Sequence, residues 1–185
     1  MTEIKYLCVL DFEATCWLRS DEHEIIEFPS IIIDLETNKV INRFQVFVKP
    51  KNNPVVSSFC NELTGITQEQ VDKGISFPEA IKQHHKFISQ YQPLIICTDG
   101  DWDLRTMLPA DCKNHNLTPP KTYSKWINIK REFEKVYGAS KSGGIPQMCE
   151  ALKIEMKGRL HSGIDDCENI AQIILQMRTD GWVPL

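Results

Sequence analysis

Two acidic residues, Asp11 and Glu13, follow an apolar run near the start of this 185-residue chain. In an extended backbone, residues two apart point to the same face, so the two carboxylates are expected to lie side by side. Such neighbours repel each other unless a cation lies between them, and Mg²⁺ prefers carboxylate oxygen. The pair by itself also fits an ordinary polar strand end.

Three further aspartates, Asp99, Asp101 and Asp103, follow a second apolar run, Leu94–Thr98. Open α/β sheets bind ligands where strands end and helices begin. One of the three is therefore expected to reach a metal held by the first pair. Taken alone, the segment also fits a turn followed by a helix N-cap.

A third group, His161, Asp165 and Asp166, precedes a long amphipathic segment near the end of the chain. An imidazole titrates near neutrality, and a carboxylate can bind metal. Each residue also has a structural interpretation, as a surface histidine or as helix N-terminal charge. The three groups together indicate a metal-dependent hydrolytic centre.

The hydropathy pattern alternates between strands and helices. It predicts strands at 4–12, 24–34, 40–48, 94–98 and 122–129. It predicts helices at 57–63, 68–73, 77–90, 101–109, 129–137, 145–152 and 163–178. The close spacing of the first three strands favours antiparallel pairing, with Pro29 marking a bulge or an edge. The expected fold is α/β, a mixed five-stranded sheet flanked by helices, in a single domain over residues 1–185.

The charge is unevenly distributed along the chain. The 21 basic and 25 acidic residues give a formal net charge of −4, which disfavours a small binder of nucleic acid that works by charge alone. Residues 121–159, however, carry 9 basic and 4 acidic side chains. That segment is either a solvated surface or the place where an anionic partner lies beside the acidic centre.

The seven cysteines are an odd number and contain no C-x-x-C pair. This pattern argues against disulfides and structural zinc, and favours free thiols in a cytoplasmic or nuclear protein. The N-terminal apolar run ends at Asp11, too early for a signal peptide, and no run approaches the ~18 apolar residues of a membrane span. No membrane association is expected.

The three acidic groups resemble the motifs of DEDDh-type 3′–5′ exonucleases of the DnaQ-like, ribonuclease H-like superfamily. The matching residues are Asp11–Trp17, Trp102–Leu104 with Leu108, and His161 with Asp166 five positions later. Further matches resemble the enhancer-of-RNAi-type exoribonucleases. They are Glu24–Pro29, Glu62–Thr67, Gln70–Asp72, Asn128–Lys130 and Gly158–Ala171.

This resemblance implies a ribonuclease H-like sheet and hydrolysis of phosphodiesters from free 3′ ends, with release of 5′-mononucleotides. It implies that two Mg²⁺ ions, or Mn²⁺ in their place, are held by Asp11, Glu13, Asp103 and Asp166. His161 is implied as the general base. The implied substrate is RNA, as short overhangs or structured ends, with DNA as an alternative. A nuclease-dead binding module and a phosphatase of small phosphoesters are the other classes to be tested.

The resemblance also suggests how a 3′ end is held. Ala14 and Thr15 would lie by the terminal ribose, and Leu63 would wedge against the last base. Trp17 and Trp102 are candidates for base stacking, with core packing as the alternative. Basic residues of the 121–159 segment would contact upstream phosphates, with Lys130 and Arg159 as the chosen candidates beside Lys121, Lys125, Arg131 and Lys157.

Overall fold

The computed structural model describes residues 3–16, 23–141 and 143–184. Within these ranges seven strands form one mixed sheet: β1 (Tyr6–Leu10), β2 (Glu13–Ala14), β3 (Ile25–Asp34), β4 (Lys39–Lys49), β5 (Ile75–Ser76), β6 (Leu94–Thr98) and β7 (Trp126–Asn128). The order is β5-β4-β3-β1-β6-β7, with β2 paired to β3. Strand β3 is antiparallel to β1 and β4, whereas β6 is parallel to β1 and β7. The predicted fold class is confirmed, but the sheet has seven strands where five were predicted, because β2 and β5 have two residues each and are too short to show a hydropathy pattern.

Seven α-helices flank the sheet in the described part of the chain: α1 (Ser58–Thr64), α2 (Gln68–Asp72), α3 (Phe77–Ile88), α4 (Leu108–Asn114), α5 (Ile129–Tyr137), α6 (Ile145–Leu152) and α7 (Gly163–Thr179). Side-chain caps fix several starts, as the Ser57 hydroxyl accepts from Cys60 N–H at 3.0 Å in α1. Among the described residues, no helix combines the length and apolar character needed to cross a bilayer.

Strand β1 lies in the middle of the sheet and is covered on both faces. Leu7 and Val9 pack in one buried cluster with side chains of α5, α6 and α7. Cys8 and Leu10 point the other way, into a second cluster with α3 and α4. A strand that buries both faces must be apolar at every position, which explains why this segment reads as an uninterrupted apolar run.

Two predicted elements differ from the structure. The strand predicted at 122–129 is a 3₁₀ turn, Lys121–Ser124, followed by the three-residue β7. The helix predicted at 101–109 is a π-helical segment, Asp103–Met107, that continues into α4. Pro109 does not end this helix; it lies in the first turn of α4, directly after the π-helical segment.

Pro29 lies neither at an edge nor at a bulge, contrary to the prediction. It pairs with Gln45 inside β3, and the register shift of this strand falls between Ile32 and Ile33. Strand β1 ends opposite Ser30, and β2 begins opposite Glu27. Pro29 therefore lies opposite the gap between β1 and β2, where neither strand pairs with β3.

Gly163 lets the start of α7 approach the end of β1. A Cβ atom at this position would lie 2.7 Å from the Asp11 carbonyl oxygen and 2.8 Å from Pro29 Cγ. Any side chain would push α7, and with it Asp166, away from the sheet. This contact explains why a glycine opens the helix.

Replacement of Gly163 by alanine is expected to destabilise the fold by roughly 1–3 kcal/mol, because the added methyl overpacks the contact with β1. Gly100→Ala is the matched control, since a Cβ there meets nothing within 4 Å. Its expected effect is within about 0.5 kcal/mol. Urea denaturation of the two variants measures both values, and equal stabilities would contradict the packing argument.

Candidate active site

The first acidic pair lies where β1 ends and β2 begins. Asp11 follows the last residue of β1 and is half-buried, and Glu13 lies in β2 opposite Glu27 of β3. Strands β1 and β2 both pair antiparallel with β3, so the chain keeps its direction from Asp11 to Glu13, and the start of α7 packs against the Asp11 carbonyl. The placement agrees with the predicted juxtaposition.

Asp103 is joined directly to the first motif. Its Oδ1 accepts a hydrogen bond of 2.9 Å from the Phe12 backbone N–H, between Asp11 and Glu13. Asp103 is 6% exposed and begins the π-helical segment that follows β6. Since β6 is parallel to β1, the carboxyl ends of both strands lie at the same edge of the sheet.

Asp166 and His161 complete the group from the other side. Asp166 lies in the first turn of α7, is 2% exposed, and its Oδ2 accepts from the His161 N–H at 2.8 Å. Ligand atoms of Glu13, His161 and Asp166 all lie within 4.8 Å of one another. Asp166 Oδ1 is buried and has no hydrogen-bond partner in the described ranges. An orphaned carboxylate oxygen at this point fits a metal ligand.

Crowding and burial raise the pKa of every carboxyl in the group. Burial, reinforced by the charges of Asp103, Glu13 and Asp166, raises the pKa of Asp11 well above its usual range. Burial and then Glu27 raise the pKa of Glu13 to about 9. Burial raises the pKa of Asp166 to about 7 and that of Asp103 to about 6. Full ionisation at neutral pH therefore requires a cation, and the donor set fits one.

The three aspartates after β6 have separate roles. Asp101 accepts hydrogen bonds from Trp126 Nε1, Asn128 Nδ2 and Arg131 at 3.0, 3.1 and 2.7 Å, which commits it to the β7 side. Asp99 forms an ion pair with Lys130 at 3.3 Å, yet its charge also raises the pKa of Asp11, Asp103 and Asp166. Only Asp103 is tied to the first motif by a hydrogen bond.

Two further acidic residues support the site: Glu27, for which the sequence predicts no role, and Asp165, for which it predicts helix N-terminal charge beside the site. Glu27 is buried in β3, and its Oε2 accepts from the Gly163 N–H at 3.1 Å, which caps the start of α7. Its signal in the sequence is an acidic residue flanked by apolar residues inside a predicted strand. Asp165 accepts from the Arg159 N–H at 2.9 Å and thereby holds the loop before His161.

The residues predicted to contact the substrate 3′ end differ in how far their side chains are exposed. Trp102 is 55% exposed and meets the His23 ring edge-on at 6.2 Å, so core packing is excluded for it. Leu63 is half-buried in α1, and Ala14 is half-buried in β2. Thr15 is buried, and its hydroxyl accepts from Glu24 N–H at 3.0 Å. Trp17 lies outside the described residues.

The two cations predicted to bind phosphate already have protein partners. Lys130 pairs with Asp99, and the Arg159 guanidinium donates to the carbonyls of Glu62 and Leu63 at the end of α1. Arg159 therefore ties the loop before His161 to the helix that carries Leu63. Phosphate binding by either residue stays a prediction.

A pH-dependent response to metal follows from these pKa shifts. The pKa of each acid is higher in the folded chain than in the unfolded chain, so protonation stabilises the fold. That contribution is complete below about pH 4 and is lost as the pH rises through about 6, 7 and 9 for Asp103, Asp166 and Glu13.

We expect chelator-treated protein to melt roughly 5 °C or more lower at pH 8.5 than at pH 5, and divalent metal to restore the difference. Thermal unfolding with and without metal measures it. Glu13→Gln removes the carboxyl whose pKa is raised to about 9 and should flatten the profile. A metal-induced change in Tm that does not depend on pH would contradict the assignment.

Comparison with known proteins gives the family. Over residues 8–174 the chain matches the exonuclease family of the RNase T type. The chain belongs to this exonuclease family. Exonucleases of the family depend on a divalent metal. The resemblance stated from the motifs is confirmed.

Curated relatives of this exonuclease carry exoribonuclease names. Mouse "3′-5′ exoribonuclease 1" (Mus musculus) is 38% identical in an alignment of 185 positions that covers 95% of this chain and 54% of that protein. Human "ERI1 exoribonuclease 3" (Homo sapiens) is 36% identical over 96% of this chain and 55% of that protein. The exonuclease therefore spans about half the length of the curated relatives it matches.

A solved structure is similar over almost its whole length. The nuclease domain of 3′hExo, described as a DEDDh family member bound to rAMP, superimposes with a TM-score of 0.92. It is 36% identical, and the match covers 96% of this chain and 94% of that one. The exonuclease is therefore of the DEDDh type, and its sheet is that of a ribonuclease H-like domain.

Proposed function

We propose that this exonuclease is a 3′–5′ exoribonuclease, which removes 5′-mononucleotides one at a time from free 3′ ends of RNA. The observation that carries the proposal is the convergence of Glu13, His161 and Asp166 ligand atoms within 4.8 Å, beside Asp11 and Asp103. The exoribonuclease names of relatives at 36–38% identity support it. Residues 1–185 act as one domain in this proposal.

Asp11, Glu13, Asp103 and Asp166 hold two Mg²⁺ ions, for which Mn²⁺ substitutes. Their oxygen donors suit these ions, and the unpartnered Asp166 Oδ1 supplies a free ligand atom. When bound, the ions offset the negative charge that develops on the attacking and leaving oxygens of the phosphodiester. Without that positive charge the raised pKa values keep part of the group protonated near neutral pH.

His161 accepts the proton of the attacking water at an imidazole nitrogen. Its side chain is exposed, so the proton can pass on to solvent. The hydrogen bond from its backbone N–H to Asp166 Oδ2 at 2.8 Å holds the His161 main chain beside this carboxylate. Such a base contributes typically 10²–10⁴-fold to the rate.

The 3′ nucleotide lies between Trp102 and Leu63 in this proposal. Trp102 is an exposed aromatic ring in the motif that carries Asp103, and a base can stack on it whatever its sequence. Ala14 and Thr15 lie by the ribose, and Lys130 and Arg159 exchange their present partners for phosphate. A structure on recognition of the histone mRNA stem-loop by a 3′-exonuclease, 36% identical, supports structured RNA ends as substrates. The buried thiols support a location in the cytoplasm or the nucleus.

The test uses 5′-labelled RNA with a free 3′ hydroxyl, the same RNA with a blocked 3′ end, and matched DNA. With Mg²⁺ we expect a ladder that shortens from the 3′ end of the unblocked RNA, and 5′-mononucleotides as products. Binding without release would favour a nuclease-dead binding module. Cleavage of p-nitrophenyl phosphate with no need for a 3′ end would favour a phosphatase, and comparable rates on DNA would widen the substrate class.

A further inference from the structure

A second group of ligand-type side chains lies outside the catalytic carboxylates. Ligand atoms of Glu24, Asp111 and His115 all lie within 4.8 Å of one another. Glu24 directly precedes β3, Asp111 lies in α4, and His115 follows the end of α4. Glu24 is 4% exposed, Asp111 is 2% exposed, and His115 is half-buried.

Asp111 has one oxygen without a partner. Its Oδ2 accepts a short hydrogen bond of 2.6 Å from the Ile25 N–H, but Oδ1 is buried with no hydrogen bond to any described residue. A buried carboxylate oxygen left this way is costly unless a proton or a cation meets it. Burial and the Glu24 charge raise the pKa of Asp111 to about 6, against the lowering effects of the Ile25 N–H and the Asn114 side chain.

Glu24 is held rigidly beside it. Three backbone N–H groups, those of Lys51, Asn52 and Asn53, donate to its two oxygens at 2.7 to 3.1 Å. The three donors make four contacts, because the Asn52 N–H is shared between both oxygens, and a cation at Glu24 would take the place of one half of that shared bond. The position of Glu24 is thus set in advance by the loop that follows β4.

His115 supplies a nitrogen donor to the group. Its ring lies against the Phe77 ring, with 5.4 Å between centroids. Burial and the Lys51 charge lower the pKa of His115, and Glu24 opposes them only partly. The imidazole is therefore neutral near pH 7, which is the form that binds metal.

We propose that Glu24, Asp111 and His115 bind a divalent cation of the Zn²⁺ type at a site separate from the catalytic carboxylates. One nitrogen and two carboxylate donors suit Zn²⁺, which takes three protein ligands and one water in many sites, whereas Mg²⁺ prefers oxygen donors alone. Tetrahedral ligands at about 2.1 Å lie roughly 3.4 Å apart, and the half-buried His115 is the ligand whose side chain can move to close the remaining distance to the two fixed carboxylates.

The cation would brace the frame of two catalytic motifs. The Glu24 backbone pairs with Thr15 at 2.8 Å, just beyond Glu13. Helix α4 continues from the π-helical segment that starts at Asp103. Lys51 Nζ also donates to the Asn114 carbonyl at 2.8 Å, which joins the loop after β4 to the end of α4. Three contacts already join β3, this loop and α4: Glu24 with the loop N–H groups, Asp111 with the Ile25 N–H, and Lys51 with the Asn114 carbonyl. The cation would add a fourth.

The test separates this site from the catalytic one. In the full chain, Asp11→Asn with Asp166→Asn removes catalytic ligands, and the chelator-treated protein is titrated with Zn²⁺ by calorimetry and with Co²⁺ by visible absorption. We expect one Zn²⁺ equivalent to remain and Tm to rise by roughly 5 °C or more at a hundredfold excess over Kd. Adding Asp111→Asn or His115→Ala should remove that equivalent, the Co²⁺ band and the rise in Tm.

His85→Ala on α3 is the matched control and should keep all three signals. Asp111→Asn retains an oxygen for the Ile25 N–H, and the melting curve of the metal-free variant shows whether it folds. If that variant is unfolded, His115→Ala decides. Absence of the Zn²⁺ equivalent in the double variant, or its survival after either ligand replacement, would overturn the site and leave Asp111 as a buried acid that holds its own proton.

Discussion

Replacement of Asp11 by asparagine is expected to reduce mononucleotide release by roughly a thousandfold or more. Burial, together with the charges of the four carboxylates Asp103, Glu13, Asp166 and Asp99, raises the pKa of Asp11. It is therefore the acid whose ionisation depends most on bound cations, and its loss removes a ligand from their centre. Loss of several kcal/mol of charge stabilisation in the transition state corresponds to that factor.

Single-turnover rates on 3′-hydroxyl RNA over a range of Mg²⁺ concentrations measure the effect. Asp72→Asn on α2 changes an exposed aspartate in the same way and should leave the rate within a factor of about two. Asparagine keeps the shape of the side chain, so the fold should persist by circular dichroism. Near-normal hydrolysis by folded Asp11→Asn at saturating Mg²⁺ would contradict the assignment of the site.

Replacement of His161 is expected to lower kcat by roughly 10²–10⁴-fold, while KM and Mg²⁺ affinity stay close to those of the unchanged protein. The reason is that a general base acts only as the proton moves. His161 has a φ of 62°, in the left-handed region, which asparagine adopts more readily than alanine. His161→Asn is thus a second variant, which keeps the loop conformation if His161→Ala disturbs it.

The same variants separate two roles for this imidazole. Its nitrogen lies within 4.8 Å of Glu13 and Asp166 ligand atoms, so it is also placed to bind metal. A ligand role predicts weaker Mn²⁺ binding in both variants, measured by electron paramagnetic resonance, whereas a base role predicts unchanged binding and a slower rate. His85→Ala, a histidine replacement on the far helix α3, controls for charge and should change neither value.

Much of the fold follows from the hydropathy pattern of short segments of the sequence. The apolar runs at Leu94–Thr98 and 24–34 predicted β6 and β3 closely, and helix α5 begins and ends at the predicted residues. These elements bury one or both faces, so their hydropathy follows directly from their position. The strand predicted at 122–129 is confirmed only at β7, because packing of the buried Tyr123 against the second core cluster holds the residues before it in a 3₁₀ turn.

The support of the site depends on contacts between distant segments. Glu27 caps α7 across 136 residues of chain, and Asp103 receives the Phe12 N–H across 91. No periodicity carries such information. Motif context predicts Asp103 rather than Asp99 or Asp101. The structure separates the three by their partners, because packing between segments decides which carboxylates pair with lysine or arginine and which lie beside other carboxylates.

The sequence by itself determined the family, the mixed sheet and the order of the acidic motifs, because motif spacing and hydropathy are properties of residue type along the chain. The tertiary structure decided which side chains share a cation-sized space, which are already paired, and how far burial raises each pKa. Those outcomes depend on the distances between side chains and on their burial. Both arise only when the chain folds and brings together residues as far apart in sequence as Asp11 and Asp166, which are separated by 155 positions.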